Sequence, residues 1–199
     1  ELEQLQVNLM MSHACGVGDR VPNEIVKIML LLKIQSLSYG FSGCKLDTVE
    51  RLIDFFNNDV YPIVYMQGSL GASGDLVPLA HLSLPLVGLG EVEFEGEVMT
   101  GAAVLEKKGW KPIHLASKEG LALLNGTQNM SSFAVWGLLQ AMKLSDWADK
   151  IAVMSLDAYE GRPEPFTPAV HAVRPHKGQI DTAARIKQLL EGSELIKQP

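Results

Sequence analysis

Apolar residues recur along most of this chain at helical spacing. Leu2, Leu5, Leu9 and Met10 predict an amphipathic helix over 1–14, ended by Gly16 and Gly18. Ile25, Met29, Leu32 and Leu37 share a broad apolar face on a second helix, 22–39, with Pro22 at its first position. A third helix is predicted over 47–57, with Asp47 as N-cap and Glu50 three residues on, in the manner of a capping box. Val60-Tyr61-Pro62-Ile63-Val64 reads as extended, because Pro62 disfavours the helical conformation for Tyr61. Strict alternation over 91–99, about Glu95-Gly96, predicts a short hairpin with outward-facing carboxylates. A short helix follows over 100–109, and Trp110-Lys111-Pro112 connects it to what comes next. Residues 128–159 form a long helical region with a break expected near Ser145; it is apolar nearly all round, as in a helix buried in a bundle. A proline-rich loop (161–168) and a closing helix (180–190, ended by Gly192) complete the pattern, and Lys197-Gln198-Pro199 carries no structural signal. The fold class is mainly α, a helical bundle with one short β-hairpin.

Bulk properties narrow the function. The 199 residues suffice for one or two domains, and 23 acidic against 17 basic residues give a net charge of −6. That balance argues against nucleic acid as a partner. Lys27, Lys33, His81 and Pro85 interrupt the longest apolar runs, so no membrane span is expected. No charged-then-apolar leader stands at the front, so no secretory signal is expected. Cys15 and Cys44 lack metal-site spacing and read as small buried hydrophobes in a reducing compartment; no metal is expected. The mean hydropathy of +0.11 is high for this size. It points to helices that bury one another in an oligomer, or to a piece of a larger structure.

The chain is organised around Gly68-Ser69-Leu70-Gly71-Ala72-Ser73-Gly74-Asp75-Leu76-Val77-Pro78-Leu79-Ala80-His81. Small residues fill its front half, and an apolar helix forms its back half. Asp75 can cap that helix or complement its dipole. Pro85 should bend or shorten it, and Gly88 should stop it. Ala72-Ser73-Gly74 has a chemistry of its own. The unhindered nitrogen of Gly74 can reach the carbonyl carbon of Ala72 in a tight turn and close a five-membered ring with loss of water. Loss of the Ser73 hydroxyl as a second water leaves an exocyclic methylene, and so a conjugated electrophile. A glycine-rich loop capping a helix fits the same tripeptide. A phosphate loop fits less well, since neither Gly-Lys-Ser/Thr nor G-x-G-x-x-G is present.

Other residues invite chemistry. His13 lies in the last turn of the first helix beside Leu9, where a lone histidine is usually a packing residue. Tyr61 and Tyr65 read as packing residues. The stretch 117–128 reads as a helical turn broken by Asn125-Gly126. His171, Arg174 and His176 read as a solvated basic loop.

From Gly68 to Ala80 the string resembles, without departure, the signature of the aromatic amino acid ammonia-lyases, which include aminomutase relatives. Lys118-Glu119-Gly120-Leu121-Ala122-Leu123-Leu124-Asn125-Gly126-Thr127-Gln128 resembles a second family string, and 171–179 resembles a third. The resemblance covers essentially the whole chain, as an internal portion of such an enzyme. It implies an ammonia-lyase/aspartase-like bundle. Residues 1–110 would belong to an N-terminal active-site domain and 111–199 would start the central bundle, together one incomplete structural unit. It implies that Ala72, Ser73 and Gly74 form a methylidene-imidazolone with no external cofactor, and that helix N-termini favour the negative charge developing on it. Asn125 would lie beside the ring and the bound amino acid, with Asp75 and Gln128 in support. Ser12-His13 matches the pair lining the substrate side-chain pocket. Phenylalanine- and tyrosine-acting relatives carry Phe-Leu or His-Leu there, so Ser-His indicates an imidazole substrate.

The implied reaction is loss of ammonia from L-histidine to give urocanate, in a cytoplasmic homotetramer with no nucleic acid or membrane partner. The family's tyrosine base, in a Tyr-Gly-Val-Asn-Thr-Gly-like string, is not in this sequence. Nor are the downstream tyrosine, arginine, phenylalanine and glutamate, and family sites draw on several subunits. The chain alone is therefore expected to be inert, with Ser73 an ordinary serine where its surroundings do not compress the turn. A phenylalanine- or tyrosine-acting lyase, an aminomutase, and a non-catalytic helical oligomerisation module remain alternatives.

Overall fold

A computed structural model describes residues 1–196, so Lys197-Gln198-Pro199 lies outside the described residues. The chain divides into two compact units, Glu1–Trp136 and Gly137–Pro199. The division expected at 110/111 falls inside the first unit, where Trp110 stacks on Phe55 at 5.8 Å and Leu115 is buried in the core.

In the first unit, α1 (Leu2–His13) buries Met10 and Gln6, whereas Leu2 and Leu5 are exposed. The expected leucine stripe is thus displaced. α6 (Glu119–Leu124) approaches α1 at backbone distance, and Gln6 Oε1 accepts the Gly120 N–H at 3.1 Å. An otherwise unpaired N–H in the first turn of α6 needs an acceptor more than α1 needs another leucine there. β1 (Val17–Arg20) was not legible in the sequence. It pairs antiparallel with β3 (Tyr65–Gln67), Val17 opposite Gln67 and Arg20 opposite Tyr65.

α2 (Asn23–Ser38) and α3 (Leu46–Asn57) pack Ile25, Val26, Met29, Leu30, Leu52 and Phe55 into one core. Pro22 precedes α2 rather than opening it. The expected capping box of α3 does not form, since its N-cap position is Lys45 and no side chain of its own caps it. Glu119 supplies the acceptor from across the chain: its Oε1 takes the Lys45 N–H at 2.7 Å and the Thr48 hydroxyl at 2.9 Å.

β2 (Tyr61–Pro62) joins β4 (Glu91–Phe94), which forms the expected hairpin with β5 (Glu97–Thr100). Glu95 and Gly96, both at positive φ, make its turn. The motif helix α4 (Leu76–Ser83) gives way to a 3-10 turn at Leu84–Val87, where Pro85 sits, and Gly88 ends it at φ 82°. α5 (Gly101–Lys108) is capped by the Thr100 hydroxyl.

α7 (Gln128–Ala158) runs unbroken through Ser145, contrary to expectation. Asp146 and Lys150 pair one turn apart there at 2.7 Å, which supports helix where serine alone would weaken it. The chain itself does not supply the expected burial: Leu138, Leu139, Met142, Leu144 and Trp147 are exposed. In the second unit, α9 (Lys177–Leu189) starts earlier than expected, and α8 (Pro168–Ala172) follows a 3-10 turn at Glu164–Phe166. Val153, Ile186, Leu190 and Ile196 form its core, and Arg185 pairs with Asp146 and Asp149. No helix among the described residues is long and apolar enough to cross a membrane.

Candidate active site

The small-residue turn leaves β3 at Gly68 and enters α4 at Asp75. Ala72 and Ser73 are exposed, Gly74 is half-buried and Asp75 is buried. Gly74 adopts φ +113°, a conformation that L side chains rarely take. A Cβ built on it would lie 2.6 Å from Gly126 O, 2.9 Å from Gly126 N and 3.3 Å from Asn125 Oδ1. Only glycine fits there, and the turn is pressed against the Asn125-Gly126 segment that ends α6. The Asp75 N–H donates to Gly126 O at 2.7 Å and fastens the two segments together.

Asp75 does not cap its own helix with its side chain, as its sequence position suggests it could. Its Oδ1 accepts the Ser69 hydroxyl at 2.9 Å, and its Oδ2 accepts the main-chain N–H of Met130, in the first turn of α7, at 2.9 Å. The carboxylate tightens the turn on one side and caps a neighbouring helix on the other.

His13 and the tripeptide come together. A hollow of about 210 Å³ is lined by His13, Ala72, Ser73 and Gly74, with Leu70 and Val77 beside them. His13 Nδ1 lies 2.8 Å from Leu9 O. A carbonyl only accepts, so Nδ1 carries the proton, and in the neutral ring Nε2 keeps its lone pair. Ser12 stands next to this bond, 3.1 Å from His13 Nδ1, and donates to Leu9 O at 2.8 Å; it does not line the hollow.

Asn125 touches the site from behind Gly74 and also lines a second hollow with Phe41 and Lys118. Gln128 is nine-tenths buried and folds back on Gly126 instead of reaching the hollow. Its Oε1 has no hydrogen-bond partner among the described residues.

Three residues of this neighbourhood were not singled out for the site by sequence reasoning. Lys33 is 1% exposed and donates to Asn125 O at 3.1 Å. Burial pushes its ammonium down to about 8. A lone lysine inside the apolar run 29–34 was the available signal. Glu119 is fully buried: desolvation pushes its carboxyl up, but the Ala116 and Lys45 N–H groups and the Thr48 and Cys44 side chains outweigh that and hold it below the usual range. Beside it, burial and the charge of Glu119 push the Cys44 thiol up to about 11. His81, one helical turn past Val77 on α4, accepts the Gly16 N–H on Nε2 at 3.0 Å and meets Tyr65 edge-on at 5.1 Å. That bond ties the segment after His13 to the motif helix, and burial holds His81 below its ordinary pKa. Among the described residues no group of three or more His, Cys, Asp or Glu could hold a metal ion.

The family profile described as aromatic amino acid lyase matches residues 1–199. The chain belongs to the aromatic amino acid lyase family. It is 50% identical over 195 residues to a histidine ammonia-lyase from Desulfotalea psychrophila, covering 98% of this chain and 38% of that protein. A histidine ammonia-lyase from Shouchella clausii is 47% identical, covering 98% of this chain and 39% of its own length. Among solved structures, the phenylalanine aminomutase of Pantoea agglomerans superposes with a TM-score of 0.92 at 36% identity, covering 99% of this chain and 38% of that one. The histidine ammonia-lyase of Trypanosoma cruzi superposes with a TM-score of 0.88 at 39% identity, over 94% of this chain and 37% of that one. The chain thus spans under two fifths of the length of these relatives.

Proposed function

We propose that the chain is the electrophile-forming and substrate-recognising part of a histidine ammonia-lyase, which converts L-histidine to urocanate and ammonia. One observation carries the reading: His13 and Ala72-Ser73-Gly74 line the same hollow. The fit of the tripeptide to a methylidene-imidazolone rests on Gly74, held at φ +113° in a cradle with no space for a side chain. Once closed, the ring would supply an electrophile that no ordinary side chain offers.

The chain's own residues then divide the remaining work. His13, with Nδ1 committed to Leu9 O, presents Nε2 as an acceptor for the N–H of a substrate imidazole. A site built around that bond discriminates against rings that lack a donor. Ser12 keeps the histidine rotamer by sharing its acceptor. Asn125 offers a carboxamide beside Gly74 that can donate to the ring oxygen or the substrate carboxylate. Asp75 and Gln128 hold the turn and its wall from behind. With His13 given to recognition of the substrate ring, the β-proton is assigned to a base outside the hollow.

The exposed apolar residues of α7 support assembly with further copies, as a homotetramer. Two unpaired cysteines and a net charge of −6 support a cytoplasmic enzyme without nucleic acid or membrane partners. The test is urocanate formation from L-histidine by the whole protein and by its Ser73→Ala variant. The whole protein should form urocanate and not a β-amino acid, the variant should fall to background, and the 199-residue chain alone should be inert. Undiminished turnover by the variant would refute the reading.

A further inference from the structure

Packing alone does not account for Lys33. An ammonium buried to 1% exposure inside an apolar helix face is unfavourable unless it holds something in place. Its ammonium donates to Asn125 O at 3.1 Å, a carbonyl 92 positions away in sequence.

That carbonyl shares a peptide plane with Gly126 N, because the bond between Asn125 and Gly126 is rigid and planar. Gly126 N is one of the two backbone atoms that crowd Gly74, 2.9 Å from where a Cβ would stand. The other, Gly126 O at 2.6 Å, is held by the Asp75 N–H. Two consecutive carbonyls of the wall are therefore fixed from two sides, one by Lys33 and one by Asp75. Without a donor at position 33, the 125–126 plane loses the restraint on its own carbonyl and keeps only those on its flanks, the Asn125 N–H on Leu121 O and the Asp75 N–H on Gly126 O.

We infer that Lys33 is a positioning residue for ring closure: through Asn125 O it fixes the peptide plane that confines Gly74 in the turn. This rests on the ring-forming reading of Ala72-Ser73-Gly74. In that step the Gly74 nitrogen bonds to the Ala72 carbonyl carbon, whose oxygen leaves as water with the amide protons of Gly74 and Ser73, and the Ala72 carbon becomes doubly bonded to the Ser73 nitrogen. Ser73 then loses its hydroxyl and α-proton as a second water. Lys33 touches none of these atoms and contributes only the geometry.

The experiment compares the whole protein with Lys33→Met, Lys33→Gln and Lys33→Arg, reading the mass of the peptide that contains 72–74 and the circular dichroism of each variant. Methionine removes the donor, glutamine leaves it one carbon short, and arginine restores reach. The wild type and Lys33→Arg should be lighter by two waters. Folded Lys33→Met and Lys33→Gln should retain both waters in at least nine-tenths of molecules. If either of these two folds and cyclises as fully as the wild type, Lys33 has no positioning role. Failure of both to fold assigns Lys33 to the stability of the core and overturns the inference as well. A wild type that keeps both waters overturns the ring-forming reading itself, and with it this inference; cyclised Lys33→Met beside a cyclised wild type overturns the inference alone.

Discussion

The Oδ2 oxygen of Asp75 accepts the main-chain N–H of Met130 at 2.9 Å, so the residue that opens α4 caps α7. Fifty-five positions separate the two residues. The same carboxylate holds Ser69 by its other oxygen, and its backbone N–H holds Gly126 O. One buried residue thus joins the turn that carries Ala72-Ser73-Gly74 to the start of the long helix and to the end of α6.

Replacing Asp75 with alanine removes the cap of α7 and leaves the Met130 N–H and the Ser69 hydroxyl without their acceptor. The expected loss is about 2 kcal/mol in urea unfolding. Asparagine keeps one acceptor oxygen and should lose less. Hydrogen exchange at the Met130 amide should quicken in the alanine variant; an unchanged rate there would count against the cap.

Gly74→Ala should be worse than an ordinary surface exchange. Its Cβ would stand 2.6 Å from Gly126 O and 2.9 Å from Gly126 N at φ +113°, and both of these are backbone atoms. A loss of at least about 1–3 kcal/mol is expected from the forced backbone change, read as a lower Tm. Gly71→Ala, which meets only the end of the Met130 side chain at 3.4 Å and pays for φ +65°, should cost less.

His81 makes the first unit sensitive to acid. Its folded pKa is lowered by burial from 6.5, so the unfolded chain takes up the proton first. Stability is full above 6.5 and falls as the pH drops through the folded value. Protonation also removes the lone pair that accepts the Gly16 N–H. Thermal unfolding followed from pH 7.5 to 5 should show a fall that is flatter in His81→Leu, although that variant starts lower. Equal slopes would show that the histidine titrates freely.

Lys33 acts at the alkaline end. Its pKa falls from 10.5 unfolded to about 8 folded, so between these values only the unfolded chain holds the proton. Stability contributed through this group therefore rises with pH across 8 to 10.5, and below 8 the buried charge costs about 3 kcal/mol. Cys44, pushed up to about 11 from 9.0, works in the opposite sense. The difference between the wild type and Lys33→Met isolates the lysine: the variant should lack the alkaline gain. A constant difference from pH 7 to 10.5 would refute the depressed value.

The helices and the hairpin were legible because each rests on local rules. Periodic apolar residues mark α2 and α3, Thr100 and Gly109 bracket α5, and Glu95-Gly96 supplies a turn with two positive φ values. The tripeptide and the two strings were legible because they are contiguous. Gln6, Glu119 and Lys33 were not. Each is a polar residue whose burial is justified by partners distant in sequence: the Gly120 N–H for Gln6, the Lys45 N–H and Thr48 hydroxyl for Glu119, and Asn125 O for Lys33. Nothing local to a lysine in an apolar run tells whether it snorkels outward or reaches a carbonyl within.

What the sequence determined by itself is the set of backbone preferences and the reactive tripeptide, since these depend on residues a few bonds apart. Tertiary structure alone decided which groups confront Gly74: that Gly126 walls it in, that Asp75 caps a foreign helix, and that His13 faces Ser73 across one hollow. Such meetings depend on how unpaired N–H and C=O groups at helix ends find acceptors and donors once water is excluded. That is a property of the packed chain as a whole, and no short stretch of it encodes the outcome.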